Sequence, residues 1–301
     1  MTASSSPITS EMLARLSGLE LRARVLVEGY LAGLHRSPHE GFSVEFAEHR
    51  EYVPGDDLRY LDWKVFGKRD RYYLKQFEAE TTFTCHLLVD LSESMAFRSD
   101  DAALSKADYA KCLAAAVAAI VLRQQDAVGL TIFDSHIRSE LPASGKRSQL
   151  QEVIRRLETT EPRGESAIGT VLHDVARRLG RRSVVIVISD LFDEPDDVAA
   201  GLQHLRFQRH DLSVLQVIDP AEADFPFDEP ARFQGLEQQP EQFVEPRLIR
   251  DAYLEEFTSA CKRIEAACHA IQGDYVLAAT DDPPDRVLSR FISHRDGGER
   301  R

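Results

Sequence analysis

Short apolar runs and longer amphipathic stretches alternate along most of this chain. Residues 83–89 (FTCHLLV), 128–133, 183–189 (SVVIVIS) and 212–218 are apolar and rich in β-branched side chains, which marks strands covered on both faces. Residues 275–279 predict a further strand. Residues 137–141 predict a strand that returns on 128–133 as a hairpin across Asp134 and Ser135. Between these runs, 103–124, 148–159, 167–179, 196–209, 248–271 and 285–292 predict helices. Alanines crowd the middle of 103–124, which suits close packing on a sheet. The alternation predicts an α/β fold: a doubly wound, mainly parallel sheet with helices on both faces and right-handed crossovers. In such sheets, ligands bind beyond the carboxyl ends of the central strands, where the strand order reverses.

The pattern differs at the N-terminal end. Ser10 is placed to cap a helix over 11–34, whose apolar stripe is Leu13, Leu16, Leu19, Leu21, Val25 and Val27. The run Ser37-Pro38-His39-Glu40-Gly41 ends it. Residues 42–46 and 71–77 read as strands, Pro54-Gly55-Asp56-Asp57 as a turn, and 60–63 as a short helical turn capped by Asp57. Residues 1–80 are therefore expected to form an N-terminal segment, 81–295 the α/β domain and 296–301 a polar tail. Residues 219–246 interrupt the alternation. They are rich in proline and acidic side chains, with Arg232 as the one basic residue. This stretch is expected to be an insertion, a solvated loop or a contact for a basic patch, with a hairpin between 232–236 and 242–244.

Charge narrows the choice of partner. The formal net charge is −13 over 301 residues. Nucleic acid and anionic membrane faces repel such a chain unless a basic run offsets it, and the sequence has none. The four cysteines, Cys85, Cys112, Cys261 and Cys268, form no C-x-x-C pair and read as reduced core thiols. The first residues lack the features of a signal peptide, and no apolar run approaches the roughly 20 residues that span a bilayer. The expectation is a soluble cytoplasmic protein without direct membrane insertion.

The candidate chemistry sits where the fold rule places it. Residues 89–95 read Val-Asp-Leu-Ser-Glu-Ser-Met at the end of the first buried strand, a D-x-S-x-S pattern of Asp90, Ser92 and Ser94. The strand 183–189 ends at Asp190, and Ser166 opens a helix between the two. Two carboxylates, three hydroxyls and water make a hard, six-oxygen site suited to Mg²⁺ or Mn²⁺; Ca²⁺ takes more ligands at longer distances and suits it less. The plain alternative is a turn in which Asp90 caps and the serines close a loop. An enzyme using the same crevice for Mg²⁺-dependent phosphoryl transfer or hydrolysis, with Asp90 as nucleophile, is a second alternative. It needs an acid two residues after Asp90, where Ser92 stands, and the chain has neither G-x-x-x-x-G-K-[ST] nor G-x-S-x-G. A catalytic role is therefore not expected.

Asp90, Ser92, Ser94, Ser166 and Asp190 together resemble the metal-ion-dependent adhesion site of von Willebrand factor A domains. Ser166 stands in G-E-S-A-I-G, where that family usually reads G-G-T-x-x-G. Serine keeps the oxygen and loses the methyl that fixes its rotamer. Upstream, Arg50-x-Tyr52-x-x-Gly55-Asp56-Asp57-x-Arg59-x-x-Asp62-Trp63 resembles the signature of the bacterial domain-of-unknown-function family fifty-eight, and the likeness runs from about Gly41 to about Arg295. The resemblance implies a metal-dependent protein-binding module in which a partner Asp or Glu completes the coordination shell. It further implies a MoxR-type AAA+ ATPase as partner, with an adaptor or chaperone-like role. Arg50, Asp56, Asp57, Arg59, Asp62 and Trp63 are expected to serve as a salt-bridged, tryptophan-anchored scaffold or as a partner surface.

Overall fold

The computed structural model describes residues 7–34, 49–51, 73–75, 83–180, 182–233 and 242–298. In chain order these form α1 (Ser10–Ala14), α2 (Leu19–Leu34), β1 (His49–Glu51), β2 (Tyr73–Lys75) and β3 (Thr84–Asp90). A 3₁₀ turn (Glu93–Ala96) then leads to α3 (Lys106–Arg123), β4 (Ala127–Phe133), β5 (Ile137–Ser144), α4 (Gln149–Thr159) and α5 (Ile168–Arg178). Next come β6 (Val184–Ser189), α6 (Pro195–Phe207), β7 (Asp211–Ile218), α7 (Pro220–Asp224), β8 (Ala231–Phe233) and β9 (Gln242–Val244). The chain closes with α8 (Pro246–Ala270), β10 (Asp274–Ala279) and α9 (Pro284–Gly298).

Six strands form one sheet in the order β10-β7-β6-β3-β4-β5. All neighbours are parallel except β5, which runs antiparallel to β4 as the hairpin reading requires. From β3 the chain first builds outward through β4 and β5, then crosses back to β6, β7 and β10. The order therefore reverses between β3 and β6, whose carboxyl ends carry Asp90 and Ser189-Asp190. The two-residue period of β6 sorts its side chains between two cores. Val184, Ile186 and Ile188 face one with α2, α3, α4 and α9, while Val185 and Val187 face the other with α5, α6 and part of α8. This is the doubly wound, mainly parallel architecture that the hydrophobic pattern predicts.

Several boundaries differ from the sequence reading. The helix expected over 11–34 is two helices, because Gly18 takes φ +84°, which no α-helix accommodates. The Leu19 N–H at the start of α2 donates instead to Glu158 Oε1 at 2.7 Å. Residues 1–80 do not hold together as one segment. Leu13, Leu19 and Leu26 lie in the core beside α3 and α9, and the Ser10 hydroxyl donates to the Thr280 carbonyl at 2.6 Å. The separate compact unit is residues 33–82, of which β1 and β2 are described; they pair antiparallel, His49 with Lys75. The strand expected at 42–46 and the turns at 54–63 lie outside the described residues. The stretch 219–246 opens with a helix rather than a loop. Asp219 and Glu222 form a capping box around α7, and β8 and β9 then pair as an antiparallel hairpin. Among the described residues no helix is long and apolar enough to cross a membrane.

Two glycines set the spacing of α5 and α6. A Cβ on Gly201 would stand 2.7 Å from Leu172 Cβ, and one on Gly169 would stand 2.9 Å from Asp197 Cβ. The helices touch backbone to backbone here, and the loops that lead into them carry Ser166 and Asp190. Gly201→Val is therefore expected to lower stability by about 1–3 kcal/mol through overpacking. Urea unfolding followed by far-UV circular dichroism measures it, and an unchanged midpoint would refute the close packing.

Candidate metal centre

Asp90 is the last residue of β3 and fully buried. Its Oδ1 accepts the Ser92 N–H at 2.9 Å and its Oδ2 accepts the Ser189 hydroxyl at 2.6 Å. Among the described residues no basic group forms an ion pair with it. Desolvation, followed by the nearby charge of Asp190, pushes its pKa up to about 7 against the pull of those hydrogen bonds. Past Asp90 the chain turns through Glu93–Ala96, pinned by the buried Met95, and brings Ser92 Oγ within 3.1 Å of Ser94 Oγ.

The loop before α5 is laced to this turn by two backbone bonds. The Glu93 N–H donates to the Gly164 carbonyl at 2.8 Å, and the Arg163 N–H donates to the Leu91 carbonyl at 3.0 Å. Ser166 follows, and its buried Oγ has no hydrogen-bond partner among the described residues. A buried hydroxyl left unpaired is unfavourable, so such an atom calls for an explanation.

Beyond β6 stands Asp190, also fully buried. Its Oδ1 accepts the Phe192 N–H at 3.3 Å, and its carbonyl accepts Gln216 Nε2 at 2.8 Å. Tyr275 holds that glutamine in place with a 2.6 Å hydrogen bond to Oε1. Leu191 takes φ +60°, and its N–H donates to Ser189 Oγ at 2.9 Å. Ser189 thus links the two loops, donating to Asp90 and accepting from Leu191.

Asp190, which the sequence reading places among the oxygen ligands, is ion-paired in the structure. Asp190 Oδ2 lies 2.8 Å from Lys106 Nζ, which also lies 2.6 Å from Glu222 Oε1. Burial works to lower the lysine pKa, but the two carboxylates outweigh it and hold the ammonium above its usual range. Glu222 comes from the stretch expected to be solvated. Ser189, Lys106 and Glu222 are missing from the sequence-based set. One signal was available for Lys106: it directly follows the N-cap Ser105, where a cation opposes the helix dipole.

The five sequence-derived residues therefore lie at the end of β3 and in three loops at one end of the sheet. They offer oxygen ligands only. Among the described residues no group of three or more His, Cys, Asp or Glu side chains is placed to hold a metal. The set fits a hard divalent cation on its Asp90 side, where a buried carboxylate lacks a countercharge and the Ser166 hydroxyl lacks a partner. Ser94 is half-buried and Phe192 is 39% exposed, so these two form the rim. A cavity of about 400 Å³ elsewhere, lined by Cys261, Tyr275, Leu277 and Arg290, includes none of these residues. Of the upstream motif, Arg50 lies on β1 opposite Leu74. Asp56, Asp57, Arg59, Asp62 and Trp63 lie outside the described residues.

The raised pKa of Asp90 has a definite sign. Its folded value of about 7 exceeds the unfolded value of about 4, so the native state binds the extra proton between them. Stability is lost as pH rises from about 4 to about 7 and stays reduced above that. Asp90→Asn is expected to melt higher than wild type at pH 8 in the presence of a chelator, with the difference shrinking toward pH 4. Thermal melts across this range check it, and a variant less stable at pH 8 would refute the uncompensated charge.

The family profile described as "Protein of unknown function DUF58" matches residues 48–263. The chain is 29% identical over 218 residues to "Uncharacterized protein Mb1516" of Mycobacterium bovis, which covers 72% of this chain and 68% of that one. The figures are the same for "Uncharacterized protein Rv1480" of Mycobacterium tuberculosis. Among solved structures, the conserved hypothetical protein BatB of Bacteroides thetaiotaomicron aligns at a TM-score of 0.49 and 19% identity, over 71% of this chain and 99% of that one. An aerotolerance-related membrane protein of Bacteroides fragilis aligns at 0.48 and 18%, over 71% and 99%. The SpRpn10 VWA domain aligns at 0.39 and 12%, over 70% and 94%. At these identities and TM-scores the fold rests on the strand order described above and not on the neighbours. With the profile matched from the upstream motif through the strands that carry Asp90 and Asp190, the chain belongs to the DUF58 family.

Proposed function

We propose that the protein is a von Willebrand A-like binding module in which a divalent ion beyond β3 and β6 captures an Asp or Glu of a partner protein. The observation that carries this reading is two unmet groups on loops laced together by the Glu93 N–H bond to the Gly164 carbonyl: among the described residues, Asp90 is a buried carboxylate without an ion-pair partner, and Ser166 Oγ is a buried hydroxyl without a hydrogen-bond partner. Both deficits are met by one hard cation. When bound, Mg²⁺ or Mn²⁺ would supply an electrophilic centre for an external carboxylate. The protein's part is to hold the ligands in place. Asp90 supplies the charge, Ser92, Ser94 and Ser166 supply neutral oxygens, and Ser189 orients the Asp90 carboxylate. Partner residues meet the site at Ser94 and Phe192.

The role is binding rather than chemistry, since Ser92 occupies the place where a phosphoryl-transfer site needs its second acid. The resemblance of the upstream motif makes a MoxR-type AAA+ ATPase the first partner to test, with this protein as its adaptor or as a chaperone-like factor beside it. Arg50, Asp56, Asp57, Arg59, Asp62 and Trp63 are the candidate second contact. Four cysteines outside any disulfide, three of them buried, support a reducing, cytoplasmic setting.

Calorimetric titration of Mg²⁺ and Mn²⁺ into metal-stripped protein tests the reading. One-to-one binding is expected in wild type, none in Asp90→Ala, weaker binding in Ser166→Ala and tighter binding in Ser166→Thr. Because Asp90 must shed its proton, affinity is expected to rise by up to about tenfold per pH unit below its pKa. Saturable binding that survives Asp90→Ala would overturn the assignment. Capture of the ATPase by wild type that persists in chelator would overturn the metal-dependent mode of recognition.

A further inference from the structure

Lys106 is the first residue of α3, after Ser105, whose Oγ accepts the Asp108 N–H. A cation there works against the helix dipole, and its side chain is 1% exposed. Neither helix stability nor solvation accounts for its position. Its Nζ contacts Asp190 at 2.8 Å and Glu222 at 2.6 Å, and the Phe192 ring lies 4.7 Å away. Glu222 is fixed in turn: its other oxygen accepts the Asp219 N–H at 2.8 Å, and Asp219 accepts the Ser99 N–H at 3.0 Å. Both oxygens of Asp190 are thus engaged, one by an ammonium and one by the Phe192 N–H. Among the described residues, the Asp90 oxygens meet only neutral donors, and Ser166 Oγ meets none. The two carboxylates of the crevice are treated differently, and Lys106 makes the difference.

We infer that Lys106 is a resident countercation that withholds Asp190 from the metal. The divalent ion then binds on the Asp90, Ser92, Ser94 and Ser166 side and meets Asp190 only through water. One formal negative charge touches the ion directly, so resting affinity is low and the incoming carboxylate is bound strongly. This inference rests on the metal-binding reading above and specifies how that site is regulated.

The test is the Mn²⁺ affinity of the whole chain by calorimetry, with a charge-conserving variant. Lys106→Met with Glu222→Gln removes one positive and one negative charge, leaves the local sum unchanged and frees Asp190. Tightening of at least about tenfold is expected, since a carboxylate then faces the ion without a competing cation. Adding Asp190→Asn to that background is expected to cancel most of the gain. In otherwise wild-type protein, Asp190→Asn is expected to weaken Mn²⁺ binding by less than about threefold, the unequal losses marking coupling between positions 106 and 190. Equal losses in the two backgrounds, or no tightening in the charge-conserving variant, would overturn the inference while leaving the metal site standing. If the charge-conserving variant does not fold, loss of Mn²⁺ binding by Asp190→Asn alone would overturn it. Absence of Mn²⁺ binding in both wild type and the charge-conserving variant would instead overturn the metal site.

Discussion

Asp90 ends β3 and Asp190 directly follows the adjacent parallel strand β6, and both are fully buried. Like charges in one buried crevice repel each other and lose hydration together, so a fold that tolerates them must answer each one. Here the answers differ. Asp190 receives a lysine from the first turn of α3, the helix that follows β3, and among the described residues Asp90 receives only an amide and a hydroxyl. The proton that Asp90 retains to about pH 7 follows from that imbalance, and the Ser166 hydroxyl beside the same loop is left unpaired among the described residues.

The fold creates this situation through strand order. Because the chain builds outward from β3 and then returns to β6, two strand ends meet with no crossover helix between them. The crevice left there is walled by loops whose positions depend on helix packing. Gly169 and Gly201 let α5 and α6 approach closely, which sets where the Ser166 and Asp190 loops emerge. The Leu191 turn and Gln216, braced by Tyr275, fix the second loop from beneath.

Much of this was legible in the sequence, for physical reasons that also define where legibility stopped. Buried parallel strands are continuous β-branched runs, so β3, β4, β6 and β7 stand out. The candidate oxygen set could be picked out because each member sits next to a strand end or a helix start, which are local features. Lys106 could not be paired with Asp190 and Glu222 in the same way, since it lies 84 and 116 residues from them and only tertiary packing joins the three. The Gly18 break was hidden because the apolar stripe continues in phase across it. The α7 helix was hidden by Pro220 and its acids, which read as loop, although Asp219-Pro220-Ala221-Glu222 carries the spacing of a capping box. The upstream motif, by contrast, was legible by family likeness alone, and of its residues only Arg50 falls on a described strand.

Leu191 has a consequence of its own. It is a buried, non-glycine residue in the left-handed region, a conformation that is unfavourable by roughly 1–2 kcal/mol for an L-residue. Its side chain in the core and its N–H on Ser189 hold it there before any ligand arrives. The entropy of ordering this loop is therefore spent during folding rather than at the encounter. Under the binding role proposed above, a partner would meet a loop already ordered, and discrimination between partners would fall to the shape and charge of what they bring rather than to their ability to mould the site.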